Sequence, residues 1–208
     1  MKKNVLHRFF LELDRELARP AEIILTGAAA GSLMGNIRPS LDIDFEIRTK
    51  GRMGSREKAS LQQAVNKVSS KMRIATNYSE DISHWSMINY LDYRQTALPY
   101  KTIGRLRLKL IAPAHWTIGK MTRFLEIDIR DMMKIIKKKK LGSQSLLRLW
   151  GRALASSPLS LASGRFRDNV IYFIEKYGRV VWGKKLDLKK AIILFKRAAK
   201  LDRVASDS

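Results

Sequence analysis

Two aspartates one residue apart, Asp42 and Asp44, are the side chains in this sequence best suited to chemistry. They stand in Leu41-Asp42-Ile43-Asp44-Phe45-Glu46-Ile47-Arg48, where apolar and charged residues alternate. Alternation at period two predicts a half-buried strand, its apolar face formed by Leu41, Ile43, Phe45 and Ile47 and its other face carrying three acids. Side chains two apart on a strand point the same way from α-carbons about 6.5–7 Å apart, so both carboxylates can converge on one or two ions. Carboxylate oxygens suit Mg2+ or Mn2+, and Mg2+ commonly binds one or two carboxylates together with substrate phosphates. The corresponding chemistry is phosphoryl transfer, in which the ion draws charge from a triphosphate and aligns the attacking hydroxyl with the leaving pyrophosphate. Asp-x-Asp on an amphipathic strand is also the ordinary pattern of a solvated face, so its reading depends on what surrounds it.

The elements upstream supply that context. Ile23 to Leu25 is a short apolar run that predicts a buried strand, stopped by Thr26-Gly27. The small residues from Ala28 to Met34 predict a tightly packed helix ended by Gly35-Asn36. Gly27 lets the backbone approach a phosphate closely, and the helix that follows offers unpaired N–H groups at its start. Arg38 and Ser40 precede the aspartates at alternate positions.

Elsewhere the spacing predicts helices over 5–18 and 56–72, separated from the rest by Arg19-Pro20 and a loop over 50–55, and further strands over 86–93 and 105–111. After Pro113 the pattern is wholly helical, with helices near 114–124, 126–140, 144–155, 164–177 and 187–203. Ser143 and Ser163 are candidate caps and Gly178 a candidate stop, while Phe166, Val170, Phe173 and Tyr177 recur as a core stripe. The expected fold is α+β: a small mixed sheet flanked by helices over 1–112, then a basic helical region over 113–208 packing on that core.

Charge separates the two parts. Residues 1–100 carry 15 Lys and Arg against 11 Asp and Glu, whereas residues 101–208 carry 26 against 8. Such a field favours a polyanionic partner, nucleic acid ahead of an acidic membrane surface, because each neutralised phosphate releases counterions. Trp85, Tyr90, Tyr93, Tyr100 and Trp116 could stack bases or fill the core. There is no cysteine, and His7, His84 and His115 form no zinc spacing. His7, Arg8, Glu12 and Asp14 interrupt any leader-like apolar core, and no run approaches the roughly 18 apolar residues of a membrane span, so the expectation is a soluble, cytoplasmic protein.

The apolar strand, small-residue turn and short helix, followed by Arg38-Pro39-Ser40-Leu41-Asp42-Ile43-Asp44, resemble the DNA polymerase β-type nucleotidyltransferase superfamily, and more narrowly its AbiEii and MenT toxin-like branch. There the turn is commonly Gly-Gly-Thr/Ala-Ala; here it is Gly27-Ala28-Ala29-Ala30. A second block, Pro113, Lys120-Met121, Arg123 and Arg130-Asp131, is similar to one that follows the core in AbiEii-like proteins. The resemblance implies transfer of a nucleoside monophosphate from an NTP, with Asp42 and Asp44 holding Mg2+ or Mn2+. It assigns nucleotide binding to Gly27, Ala28, Arg38, Ser40 and Lys120, and gives Asp131 the orientation of Lys120 or of the acceptor. With the basic half it points to RNA, such as a tRNA end, as acceptor, and to a toxin with a cognate antitoxin protein. The chain departs from the pattern where Arg107 and Lys109 stand in place of a third carboxylate, with Asp92 the nearest strand-like substitute, and where Lys134 replaces an aspartate. A catalytically degenerate nucleic-acid-binding protein, or a nucleotidyltransferase for a small molecule such as an aminoglycoside, are the alternative readings.

Overall fold

The computed structural model describes residues 3–35, 41–49, 51 and 53–201, and the chain divides into two compact units. One takes the chain up to Ile82 together with Arg94–Ala112; the other takes Ser83–Tyr93 and the chain from Pro113 onward.

The first unit is built on strands β1 (Ala21–Leu25), β2 (Asp42–Thr49), β3 (Ala75–Ser79), β4 (Leu98–Ile103) and β5 (Leu106–Leu110). They form one mixed sheet in the order β3-β2-β1-β5-β4. β1 runs antiparallel to β2 and parallel to β5, while β3 joins β2 in parallel and β4 joins β5 antiparallel. Ile23, Ile24 and Leu25 are all fully buried, as a central strand covered on both faces requires. Helices α1 (Lys3–Glu16), α2 (Gly27–Gly35) and α3 (Ser55–Met72) flank the sheet, and the short α4 (Tyr93–Thr96) precedes β4. The apolar stripe of α1 brings Phe9 and Phe10 edge-on to Phe45 of β2, with ring centroids 6.3 and 5.6 Å away. That contact keeps the apolar side of β2 inward, and so turns its acids to the opposite side.

Two expectations are corrected here. Leu41 lies outside the strand and is 91% exposed, so the alternation begins at Asp42. Residues 86–93 form no strand: Ser86 Oγ bonds both the N–H and the carbonyl of Ile88, Asn89 Oδ1 accepts from the Leu91 N–H, and Leu91 takes a φ of 55°. Local side-chain bonds satisfy the backbone there in place of a ladder. The sheet takes β3 and β4 instead, edge strands whose sequences, Ala-Thr-Asn-Tyr-Ser and Leu-Pro-Tyr-Lys-Thr-Ile, are polar or proline-bearing as edges tolerate.

The second unit contains α5 (Pro113–Arg123), α6 (Glu126–Lys138), α7 (Ser143–Ala155), α8 (Leu161–Trp182) and α9 (Leu188–Ala198). Trp116, Trp150, Phe166, Phe173 and Phe195 are buried, and the indole N–H of Trp150 donates to Thr117 Oγ1 at 2.9 Å. α8 begins three residues before the expected start at 164, because Ser160 and not Ser163 is the N-cap, while Ser163 closes the reciprocal capping box. It also runs through Gly178 to Gly183, since Gly178 serves close packing against Leu186 and Leu188 while Gly183 carries the positive φ of 102°. The N-cap of α7 is Gly142, one residue before Ser143. Among the described residues, no helix is long and apolar enough to cross a membrane.

Candidate active site

In the first unit the site is assembled where β1 ends, α2 begins and β2 passes beside them. The ladder continues one residue beyond β1, with the Thr26 N–H donating to the Asp44 carbonyl at 2.9 Å. Gly27 then turns into α2 with a φ of 60°, and a β-carbon added to it would lie 1.7 Å from Asp44 Oδ2 and 2.6 Å from Asp44 Cγ. Both the left-handed backbone and the missing side chain are therefore required: the carboxylate occupies the space that any other residue would fill. Ala28, Ala29 and Ala30 are buried, and their small size lets the start of α2 lie close to the sheet. On the other side of β2, Asn77 of β3 donates its amide to Asp44 Oδ1 at 2.8 Å. Asp42 and Asp44 are half-buried on one face of the strand, the pair of hard-oxygen donors available to a divalent ion. Gly27, Ala28, Asp42 and Asp44 thus belong to one corner of the sheet, while Arg38 and Ser40 lie outside the described residues.

The third acid of β2 has another task. Glu46 is fully buried and accepts from Arg94 Nε at 2.8 Å, from the second guanidinium nitrogen at 3.2 Å and from the Ile82 N–H at 3.1 Å. Arg94 also contacts Asp81 at 2.9 Å and the Glu80 carbonyl at 3.1 Å. Arg107 and Lys109 lie on β5, next to β1 and not next to β2, and both face Glu22, Lys109 at 2.8 Å and Arg107 at 4.0 Å. Among the described residues, no three His, Cys, Asp or Glu side chains form a metal-binding group.

In the second unit, Lys120 and Asp131 meet inside the helical core. Lys120 is 3% exposed, its Nζ lies 2.7 Å from Asp128 Oδ1 and 3.4 Å from Asp131 Oδ2, and the Trp116 ring lies 5.1 Å beneath it. Arg123 reaches the same Asp128 oxygen at 2.9 Å, whereas the fully buried Asp128 Oδ2 has no hydrogen-bond partner among the described residues. Sequence reasoning missed Asp128, although it and Asp131 stand three apart, on one face of α6. It missed Arg94 for want of any local signal, since that residue matters only through Glu46.

Asp92 also lies in this unit, in the turn before the short helix Tyr93–Thr96 and not on a strand. Its carboxylate is 3.4 Å from His115 Nε2 and 3.9 Å from Arg152. A hydrogen bond from its own backbone holds the Asp92 carboxyl below the usual range, and the His115 contact and Arg152 add to this. Burial pushes the His115 imidazole down, against the pull of Asp92.

Compared with known protein families, with curated proteins and with solved structures, the chain matches none.

Proposed function

We propose that this chain is a metal-dependent nucleotidyltransferase that moves a nucleoside monophosphate from an NTP to an RNA acceptor. The observation that carries the reading is the fit of the Asp44 carboxylate into the space left by Gly27, at the start of α2 and two residues from Asp42. That corner suits Mg2+ or Mn2+ because it offers two hard carboxylates beside a backbone able to approach phosphate. When bound, the ion supplies charge neutralisation on the triphosphate and alignment of the acceptor hydroxyl with the leaving pyrophosphate. Asp42 and Asp44 hold it, and the Asn77 amide fixes the rotation of the Asp44 carboxylate. The first N–H groups of α2 would offer hydrogen-bond donors to a bound phosphate. By resemblance, Arg38 and Ser40 bind nucleotide phosphate, Lys120 contacts the triphosphate and Asp131 orients it. A tRNA end as acceptor, a cytoplasmic site of action and a toxin paired with an antitoxin protein complete the reading.

Incubation with labelled NTPs, Mg2+ and total tRNA tests it. Label should enter RNA with wild-type protein and not with Asp42→Ala/Asp44→Ala; equal labelling by both, or none by wild type, removes the enzymatic claim. A second reading, a non-catalytic RNA-binding protein on the same scaffold, is favoured by Glu46 being committed to Arg94. It expects salt-dependent RNA binding that is indifferent to Mg2+ and to loss of both aspartates.

A further inference from the structure

Between the α5–α6 corner and α8 lies a cleft of about 690 Å³ whose floor is aromatic. Phe124 meets Tyr172 edge-on at 6.0 Å, and Tyr172 meets Tyr177 in the same manner at 6.3 Å. The sequence stripe on α8 suggests a core role for Tyr177, yet it is only half-buried, and Tyr172 is 44% exposed. These rings are held in place. Phe124 sits at a φ of 52° with its N–H on the Lys120 carbonyl at 2.9 Å, and Lys176 donates to the Tyr172 hydroxyl at 2.7 Å while lying over both tyrosine rings. The two acids of the cleft are neutralised from outside, Glu126 by Arg130 and Asp168 by Arg167, each at 2.8 Å. Lys176 is the cation of the lining itself, and with the two arginines just outside it cations exceed acids around the cleft, in a region, residues 113–208, that carries 22 Lys and Arg against 8 Asp and Glu.

We propose that this cleft stacks one unpaired base of an RNA strand on the exposed Tyr172 ring, beside the perpendicular Phe124, with Lys176 meeting an adjoining phosphate. Preformed aromatic faces take any base with little loss of side-chain freedom, and the positive excess of the helical region matches a sugar-phosphate backbone better than it matches an apolar peptide. The proposal rests on the reading of RNA as acceptor and specifies how the helical unit holds it.

The test is binding of a short single-stranded oligoadenylate, followed by fluorescence anisotropy, with an abasic strand of equal length and a duplex as comparisons. Tyr172→Ala should weaken oligoadenylate binding roughly ten- to a hundredfold and leave the abasic strand unaffected, whereas Tyr172→Phe should bind as wild type does. Lys176→Ala should reduce the slope of log affinity against log salt by about one. In wild-type protein, 4-thiouridine in the strand should crosslink to peptides containing Phe124, Tyr172 or Tyr177, a readout independent of any variant. Equal oligoadenylate affinity for wild type and Tyr172→Ala, equal binding of abasic and base-bearing strands by wild type, or crosslinks elsewhere overturn the proposal. Loss of self-association in Tyr172→Ala with unchanged RNA binding assigns the cleft to a protein contact instead. Tyr172-dependent binding without nucleotide transfer retains the stacking site and removes the enzymatic reading; transfer that ignores Tyr172→Ala does the reverse.

Discussion

Gly27 is a residue whose substitution separates conformation from volume. Alanine there must adopt a left-handed backbone, at about 1–2 kcal/mol, and must also displace the Asp44 carboxylate. Gly27→Ala should lower the thermal midpoint and abolish Mg2+-dependent transfer, whereas Gly164→Ala, where a β-carbon meets nothing within 4 Å, should be neutral or stabilising by about 0.5–1 kcal/mol. Thermal unfolding and the tRNA-labelling assay check both. His115 supplies a pH dependence. Its folded-state value is depressed by burial below the ordinary 6.5, so the unfolded chain takes up the proton first. Stability is then whole above that ordinary value and declines as pH falls through it towards the folded value. Asp92 resists this loss by attracting the proton, and Arg152 favours it. Urea midpoints measured from about pH 7 to about pH 5 should fall in wild type and flatten in His115→Gln. At this scale the sequence makes Asp42, Asp44 and Gly27 legible, since alternation and turn chemistry are local. Arg94 and Asp128 are not, because their importance arises from tertiary approach.

At the scale of elements, α5 and α6 are joined at their corner by the buried set Lys120, Asp128 and Asp131. Lys120→Met would remove the buried cation that two buried carboxylates share, leaving Asp128 to the more exposed Arg123, and should cost about 3–5 kcal/mol in denaturant unfolding. Adding Asp128→Asn to that variant should recover part of the loss, as one of the two buried carboxylate charges is removed. A role for Lys120 in catalysis alone predicts normal stability for Lys120→Met. Helices with strong apolar stripes, such as α1 and α6, could be read from spacing. β3 and β4 could not: at a sheet edge, partner strands supply the pairing and the apolar signal fades. The same physics misled at 86–93, where isoleucine and aromatics look strand-like while Ser86 and Asn89 close local turns.

For the whole molecule, the linear order of the chain and its division into units differ. Ser83–Tyr93 belongs with the helices, where the Asn89 N–H donates to Ser157 Oγ at 2.8 Å and the Tyr90 hydroxyl lies against Gly119 of α5. Residues 113–208 expressed alone therefore lack part of their own core. They should unfold at lower temperature than the same helices in the intact chain, and addition of a peptide spanning 83–93 should raise the midpoint. Equal midpoints for fragment and intact chain would refute this. The basic charge of that half was legible from composition, but this excursion was not, since only contacts distant in sequence define it.

Glu46 gives that excursion a boundary. One buried carboxylate accepts from Ile82, the last residue before the chain leaves the sheet unit, and from Arg94, the first after it returns. It closes a loop in the manner of a non-covalent staple, so the entropy of anchoring both ends is met at a single atom group. Because the staple is fastened to the strand that bears Asp42 and Asp44, the stretch proposed to hold a metal is also the stretch that ties off the excursion of the chain, so a change in one bears on the other.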